Sequence, residues 1–519
     1  MLSTCMLNTE RFETICDKLR LIFSRPSMLL LVPVILVLWR LVLQSSADPD
    51  LFARVALGRL VEKFGGVPLH DPFSFTEKLP LWIDHEWLSG VIFHYIGTLW
   101  GDQGLLILKL LVAVWTCLLS ARASEIYAPQ AAGRLFFISV CLLEASFIWM
   151  STVRCQIFTY FIISFTYFAF AHYRVNRVYR YLLLIPPACI GLVNMHGGYA
   201  LEILVLWCLT TASIVGGKSW KILAAVSVSS SVAAVFSPYG FRSFVSYLLH
   251  AITMDRPNIT EWYALYRFPE PFIHISLIAT LLLLGVMLEG RRKSWNLAAI
   301  LCLSFSFYCG FAHFRFVGFA MLTAVVFGPT YFGNVLEAAR SNLTSWMLMM
   351  ERSLALVCTG LLTVMFAQIV YAASRRDTWH LNVDTYPVKA IEMLRNSGAT
   401  GKLLVDFNVG SFALWYLYPR FQVSLDGRYE EVYTNQTVED VSVAFSPNTP
   451  QGLAALRKIA PTHILFHAAY ISEEIRAALP SPWREIYRDD QSVVYATTDL
   501  TSRPETPSSL NSHQWNPLF

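Results

Sequence analysis

Asp48 and Asp50 stand two residues apart just past the first apolar run of the chain. They open a polar segment, SADPDLFARVALGRLVEKFGGVPLHDPFSFTEKLPLWIDHEWLSG, that also holds Glu62, His70, Asp71, Asp84, His85 and Glu86. Ionisable groups docked against helix ends lose water, so they tend to be paired, metal-bound or catalytic. Polar residues recur at the ends of later apolar runs: Arg154 in RCQIFTYF, Asn194 and His196 in NMHGGY, the SPYG turn, Glu261 and Trp262 in NITEW, and His313 with Arg315 in HFRF. A carboxylate can take a proton from an acceptor hydroxyl while cations stabilise a departing phosphate, so this set suits group transfer from a phosphate-linked substrate.

Each motif also has a structural account. Asp is a preferred N-cap and acids favour a helix's first turn, so Asp48 and Asp50 would cap a helix beginning near Leu51. His70-Asp71-Pro72 reads as a turn, and Asp84-His85-Glu86 as a helix start. An Arg at a membrane edge, such as Arg315 beside His313, is commonly paired or snorkelling. Gly197 and Gly198 after His196 mark a tight turn where a ligand could approach the backbone. His85-Glu86 is no zincin motif, because Ser89 stands where the second His belongs, and the chain lacks GxxxxGK[ST], GxSxG and CxxC patterns.

The elements that must position these residues are apolar. Of 519 residues, 55% are hydrophobic and only 15% charged, where a soluble domain carries about 25% charged. Lipid solvates such a surface, and a polytopic helical membrane protein follows. The net charge of +4 and the absence of a basic stripe with interleaved aromatics argue against nucleic acid as a partner. Most of the ten cysteines fall within or beside apolar runs, and no disulfide framework is expected. Apolar stretches at 27–44, 104–121, 135–150, 157–173, 181–194, 199–216, 222–236, 272–288, 297–312, 316–333 and 353–373 predict about eleven spans. Pro186 and Pro187 should interrupt the fifth, and residues 88–101 read as a short interfacial helix. The first run, behind residues 1–26, lacks a cleavage site and should stay as an anchor. Basic loops such as RVNRVYR and GRRK then lie inside, which puts the N-terminus in the cytoplasm. The loop at 45–103 and the C-terminal region fall outside.

Taken together, DPDLFARVALGRLVEKFGGVPLHDPFSFTEKLPLWIDHEWLSG, RCQIFTYF, NMHGGY, SPYG, ITEW and HFRF resemble bacterial integral-membrane glycosyltransferases of the GT-C superfamily, of the protein-mannosyltransferase and aminoarabinose-transferase type. The resemblance covers about 45–333. It implies a GT-C-like helical bundle in the bacterial inner membrane that uses a polyprenyl-phosphate sugar donor, with an acidic catalytic residue in the first outer loop. The acidic position maps to Asp48 and Asp50, and the choice between them stays open. Better-known relatives have adjacent Asp-Glu there, whereas Pro49 separates two aspartates here. The substrate-binding set would be Arg154, His196, Glu261, His313, Arg315, Asp84, His85 and Glu86. Arg154, Arg315, His196 or His313 would neutralise the phosphate in a single, inverting displacement. Some relatives use a divalent cation, and Asp48 with Asp50 would suit Mg2+ or Mn2+.

From about 374 to 499 the pattern changes to alternating strands and helices, a small α/β domain outside the membrane. GKLLVDF, FQVSLDGR, THILFH, WREIYRDD and SVVYATT read as strands. Asp426 and Arg428 lie at a strand end, either as a ligand position or as a turn held by their own ion pair. Residues 500–519 read as a disordered tail. The rival functions are a transporter or flippase of a lipid-linked glycan, and a non-catalytic envelope-assembly subunit. No internal repeat favours the former, and the acids sit in an outer loop rather than at mid-membrane.

Overall fold

The computed structural model describes residues 31–42, 44–131, 133–149, 153–217, 219–254, 256, 259–291, 295–339 and 381–497, plus two isolated helical positions at 364 and 367. Apart from those two positions, the eleventh expected span at 353–373 lies outside the described residues, as do the N-terminal segment 1–26 and the tail 500–519.

Twelve helices make the bundle among the described residues: α1 (Leu31–Val42), α2 (Pro49–Phe64), α3 (Trp87–Tyr127), α4 (Arg134–Ala145), α5 (Gln156–Val175), α6 (Ile185–Leu192), α7 (Tyr199–Val215), α8 (Lys221–Val232), α9 (Phe241–Thr253), α10 (Pro269–Arg291), α11 (Leu297–Ala312) and α12 (Val317–Ala338). α12 is central. Every residue from Val317 to Pro329 is buried, as a helix apolar on all sides requires. α10 lies at the periphery and turns Ile273, Leu277, Leu283, Leu284 and Met287 outward. Such a run of exposed large aliphatics is stable where lipid is the solvent.

By length and composition, three helical stretches could cross a bilayer among the described residues: Trp87–Tyr127, Pro269–Arg291 and Phe314–Ala338. Five shorter apolar helices accompany them. The expected count of about eleven therefore stands only as an expectation. Two local expectations concern these helices. Residues 88–101 do form a helical piece of their own: α3 is two helices joined across a break at Gly101, whose φ of 62° lies outside helical geometry. Pro186 and Pro187 do not interrupt their segment. They fall in the first turn of α6, where a missing N–H costs nothing.

α2 follows from its sequence. The Asp48 carboxylate accepts the Asp50 N–H at 3.1 Å, Pro49 takes the first helical position, and Gly65 ends the helix at φ 71°. The Asp-Pro-Asp spacing is thus a helix start that leaves the Asp50 side chain free of capping. α2 and α3 then pack nearly backbone to backbone. A Cβ on Gly58 would fall 2.4 Å from the Gly90 carbonyl oxygen, and one on Gly90 would fall 2.5 Å from that of Arg54. Only glycines allow this approach, and it brings Arg54 on α2 to Glu86 at the start of α3.

The C-terminal region is a mixed five-stranded sheet: β1 (Gly401–Leu404), β2 (Phe421–Val423), β3 (His463–His467), β4 (Arg484–Arg488) and β5 (Ser492–Ala496), in the order β2-β1-β3-β5-β4. β1 pairs parallel with β2 and β3, whereas β5 runs antiparallel to β3 and β4. The strands fall on the segments read as strands. Its helices are α13 (Val388–Asn396), α14 (Phe407–Leu417), α15 (Tyr429–Val432), α16 (Asn435–Ala444), α17 (Pro450–Ile459) and α18 (Glu473–Ala478). This sheet is tied to the bundle's first loop: Ser74 bridges to Val423, and the Phe52 ring of α2 meets Phe412 and Tyr386 edge-on at 5.0 and 5.2 Å.

Candidate active site

One open cleft is lined by Asp50, Leu51, Arg54, Glu86, Phe93, Val153, Arg154, Cys155, Gln156, His196 and Arg315. Residues from α2, α3, the turn before α5, the glycine turn before α7 and the turn before α12 thus converge, although they span more than half the chain.

Arg154 organises the acidic wall. Its Nε is 2.9 Å from Asp48 Oδ2, one terminal nitrogen is 3.5 Å from Asp50 Oδ2, and the other is 2.5 Å from Glu261 Oε1. Asp48 is buried behind the guanidinium, with one oxygen on Arg154 and the other on the Asp50 N–H. Asp50 keeps about a third of its side chain exposed to the cleft. Burial, followed by the neighbouring charge of Asp48, pushes its carboxyl up to about 7 against the opposing pull of Arg154 and Arg54. The two aspartates are therefore unequal: one is committed to a cap and an ion pair, and the other is poised near neutrality.

Arg54 organises a second, deeper cluster. Its guanidinium meets Asp84 at 2.8 Å, Glu86 at 2.7 Å, and both oxygens of Glu431 at 2.9 and 3.0 Å. Glu431 comes from α15 of the C-terminal domain and also takes His85 Nδ1 at 2.8 Å. The far side of His85 stacks on Tyr247 of α9, with ring centroids 4.7 Å apart. Burial alone would lower His85 and raise Glu431. Arg54 first and then His85 outweigh it for Glu431, and Glu431 outweighs it for His85, so the imidazole is held above and the carboxylate below their ordinary ranges.

His196 is a donor rather than a cation. The Gly198 N–H donates to its Nδ1 at 3.0 Å, with the Thr159 hydroxyl 2.8 Å from the same atom, so the ring proton sits on Nε2, which points at Glu86 Oε1 3.6 Å away. Burial, then the nearby Arg315, His85 and Arg154, holds this histidine well below its ordinary value. In that state His196 would meet a phosphate as an N–H donor rather than through its own charge. The double glycine is explained by crowding: a Cβ on Gly197 would meet the His85 ring at 3.2 Å, and one on Gly198 would collide with Thr159.

Arg315 differs from the other two arginines. Its guanidinium lies over the Trp262 ring at 4.5 Å, and among the described residues no carboxylate pairs with it. It is a cation in the cleft outside any ion pair among the described residues, although its charge reaches Glu261. His313, two residues earlier, does not line the cleft: its backbone is extended and its Nδ1 bonds to the Trp262 carbonyl oxygen at 2.7 Å. The expected His313 and Arg315 side chains thus lie apart, with only Arg315 on the cleft. Glu261, Asp84 and His85 stand behind the lining residues and act through Arg154, Arg54 and Glu86.

The carboxylates that would take a divalent ion hold arginines instead. The ligand atoms of His85, Glu86 and Glu431 lie within 4.8 Å of one another, but Arg54 bonds to both acids there. Arg154 likewise contacts Asp48 and Asp50 together. Neither set fits Mg2+ or Mn2+ without first displacing a guanidinium that is already paired there. Sequence reasoning missed Arg54 and Glu431. The first had a signal, since Arg54 is four residues after Asp50 on one helix face; the second had none, 377 positions from its partner.

The arrangement of a helical bundle, an acidic first loop and a mixed sheet has counterparts among solved structures. It is similar to the archaeal oligosaccharyltransferase AglB from Archaeoglobus fulgidus, solved with an inhibitory peptide and a dolichol-phosphate, with a TM-score of 0.56 and 11% identity, covering 86% of this chain and 70% of that one. It is similar also to ArnT from Cupriavidus metallidurans in the apo state, with a TM-score of 0.50 and 13% identity, covering 91% of this chain and 97% of that one. At these identities the likeness is one of fold. No protein-family model and no curated protein sequence matches the chain.

Proposed function

We propose that the protein is an inverting membrane glycosyltransferase that moves a sugar from a polyprenyl-phosphate donor to a hydroxyl of a lipid, glycan or protein acceptor. The observation that carries the reading is one cleft in a GT-C-like bundle that holds both a carboxylate poised near neutrality, Asp50, and a guanidinium outside any ion pair among the described residues, Arg315. Asp50 takes the proton of the acceptor hydroxyl as its oxygen attacks the anomeric carbon. The bond from that carbon to the phosphate oxygen breaks, and the electron pair leaves with polyprenyl phosphate, whose negative charge Arg315 receives. Asp48 fixes Arg154 and the start of α2, and His196 offers an N–H to the sugar or phosphate.

The site would lie at the outer face of the bacterial inner membrane, with the N-terminus cytoplasmic and the C-terminal domain extracytoplasmic. That orientation rests on the basic inner loops. A lipid carrier supplies the activated sugar on a side where nucleotide sugars are absent, which suits a groove beside apolar helices.

The test is transfer of labelled sugar from a polyprenyl-phosphate donor by protein reconstituted in vesicles. Arg315→Ala is expected to slow transfer by about 10²–10³-fold, the usual loss when one stabiliser of developing charge is removed. Equal rates for wild type and variant would contradict the phosphate role. Because arginines fill both acidic clusters, exhaustive dialysis against a chelator is expected to leave the rate unchanged, and added Mg2+ or Mn2+ to leave it within about twofold. Loss of activity on chelation with recovery on readdition would overturn that expectation.

A further inference from the structure

The C-terminal domain does more than pack against the first loop: its Asp426-Gly427-Arg428 turn reaches the cleft. A Cβ built on Gly427 would fall 2.3 Å from Asp50 Oδ1 and 3.1 Å from Ser411 Oγ. The turn cannot retreat from this contact. On one side, Asp426 takes the Arg428 guanidinium at 2.7 and 2.8 Å and the Tyr433 hydroxyl at 2.6 Å. On the other, Arg428 donates to Asp71 at 2.6 Å and to Ser74 at 3.2 Å, and its guanidinium lies over the Phe73 and Trp82 rings. Asp426 and Arg428 are fully buried, and the Gly427 N–H itself donates to Ser411 Oγ at 3.0 Å. A clamped backbone therefore bears on the half-buried Asp50 carboxylate, and the end of that flexible side chain is the nearest atom in the contact.

We infer that Gly427 is a positioning residue: the clamped turn of the C-terminal domain forms the stop against which the Asp50 carboxylate is set. This rests on the reading of Asp50 as the base. A methyl group at 427 leaves the turn in place and pushes the flexible end of Asp50 away from it. The groups then governing Asp50 are Arg154, Asp48 and Glu261 on one wall, Arg54 and Glu86 on the other, and Tyr386 of the C-terminal domain beneath α2.

The experiment compares wild type, Gly427→Ala, Asp50→Asn and the double variant in reconstituted vesicles. Two measurements are made: single-turnover sugar transfer, and the pH dependence of carbodiimide labelling at residue 50, which reads the protonated carboxyl. Gly427→Ala is expected to slow transfer about tenfold or more at unchanged donor affinity, and to have no further effect when Asp50 is already Asn, since coupled residues are not additive. A rate equal to wild type, or the same factor lost in both backgrounds, would overturn the inference. Should no protein transfer sugar at all, the proposed function fails by itself and the labelling decides: a midpoint displaced by Gly427→Ala supports the inference, and an identical midpoint overturns it.

Discussion

Replacing Asp50 with asparagine is expected to lower sugar transfer by about 10²–10⁴-fold, the contribution of a positioned general base, with donor binding retained. The effect should be large because asparagine keeps the shape of the side chain and removes only its ability to accept the proton. The pH dependence supplies a second signature. A base must be unprotonated to act, and this carboxyl is raised to about 7 by burial and by Asp48, against the pull of Arg154 and Arg54. Below that pH the wild-type rate should fall close to tenfold per unit, and above it the rate should level off. The residual rate of Asp50→Asn should lack this limb. Asp48→Asn should behave differently: it loosens the helix start but keeps the limb, displaced to lower pH, because the Asp48 charge that raises Asp50 is lost and Arg154 is left to Asp50 and Glu261.

Replacing Arg54 with methionine is the expected large effect on stability. The guanidinium is buried between Asp84, Glu86 and Glu431, and removing one member of a buried charge cluster costs about 3–5 kcal/mol because the remaining charges lose their partner. Two of those acids belong to the first loop and its junction with α3, and the third to the C-terminal domain, so the loss falls on their joint. Thermal unfolding in detergent should show a markedly lower midpoint, and limited proteolysis should cleave between the bundle and the sheet. A variant as stable and as protease-resistant as wild type would show that the joint does not depend on this cluster. Restoring charge balance with Arg54→Met together with Glu431→Gln should recover part of the loss, since one stranded carboxylate is removed.

Local chemistry was the legible part of the site. Asp-Pro-Asp announces a helix start in any context, because capping and the fixed φ of proline act within one turn. NMHGGY announces a close approach for the same reason. The strands of the C-terminal sheet could be read because short β-rich runs alternate with helical periodicity, whereas the four-residue α15 is too short to show a period. What escaped was set by distance or by backbone direction. Glu431 reaches Arg54 only because the sheet docks on α2, and no local pattern encodes that. His313 and Arg315 look like a pair in sequence, but the extended residue at 313 and the 3-10 turn at 314–316 send their side chains to different places. The arginines between the acids were visible as residues, yet their effect on a metal site depends on which carboxylates surround each guanidinium.

The central claim is that Asp50 and Arg315 work in one cleft to break the bond between a sugar and a polyprenyl phosphate. Recovering the lipid after wild-type and Asp50→Asn protein have met the same donor and acceptor in vesicles tests it most directly. The account predicts free polyprenyl phosphate in amounts matching the sugar transferred by wild type, with almost none from Asp50→Asn, which still binds donor. Intact donor carried across the bilayer without cleavage, or equal cleavage by the two proteins, would contradict it.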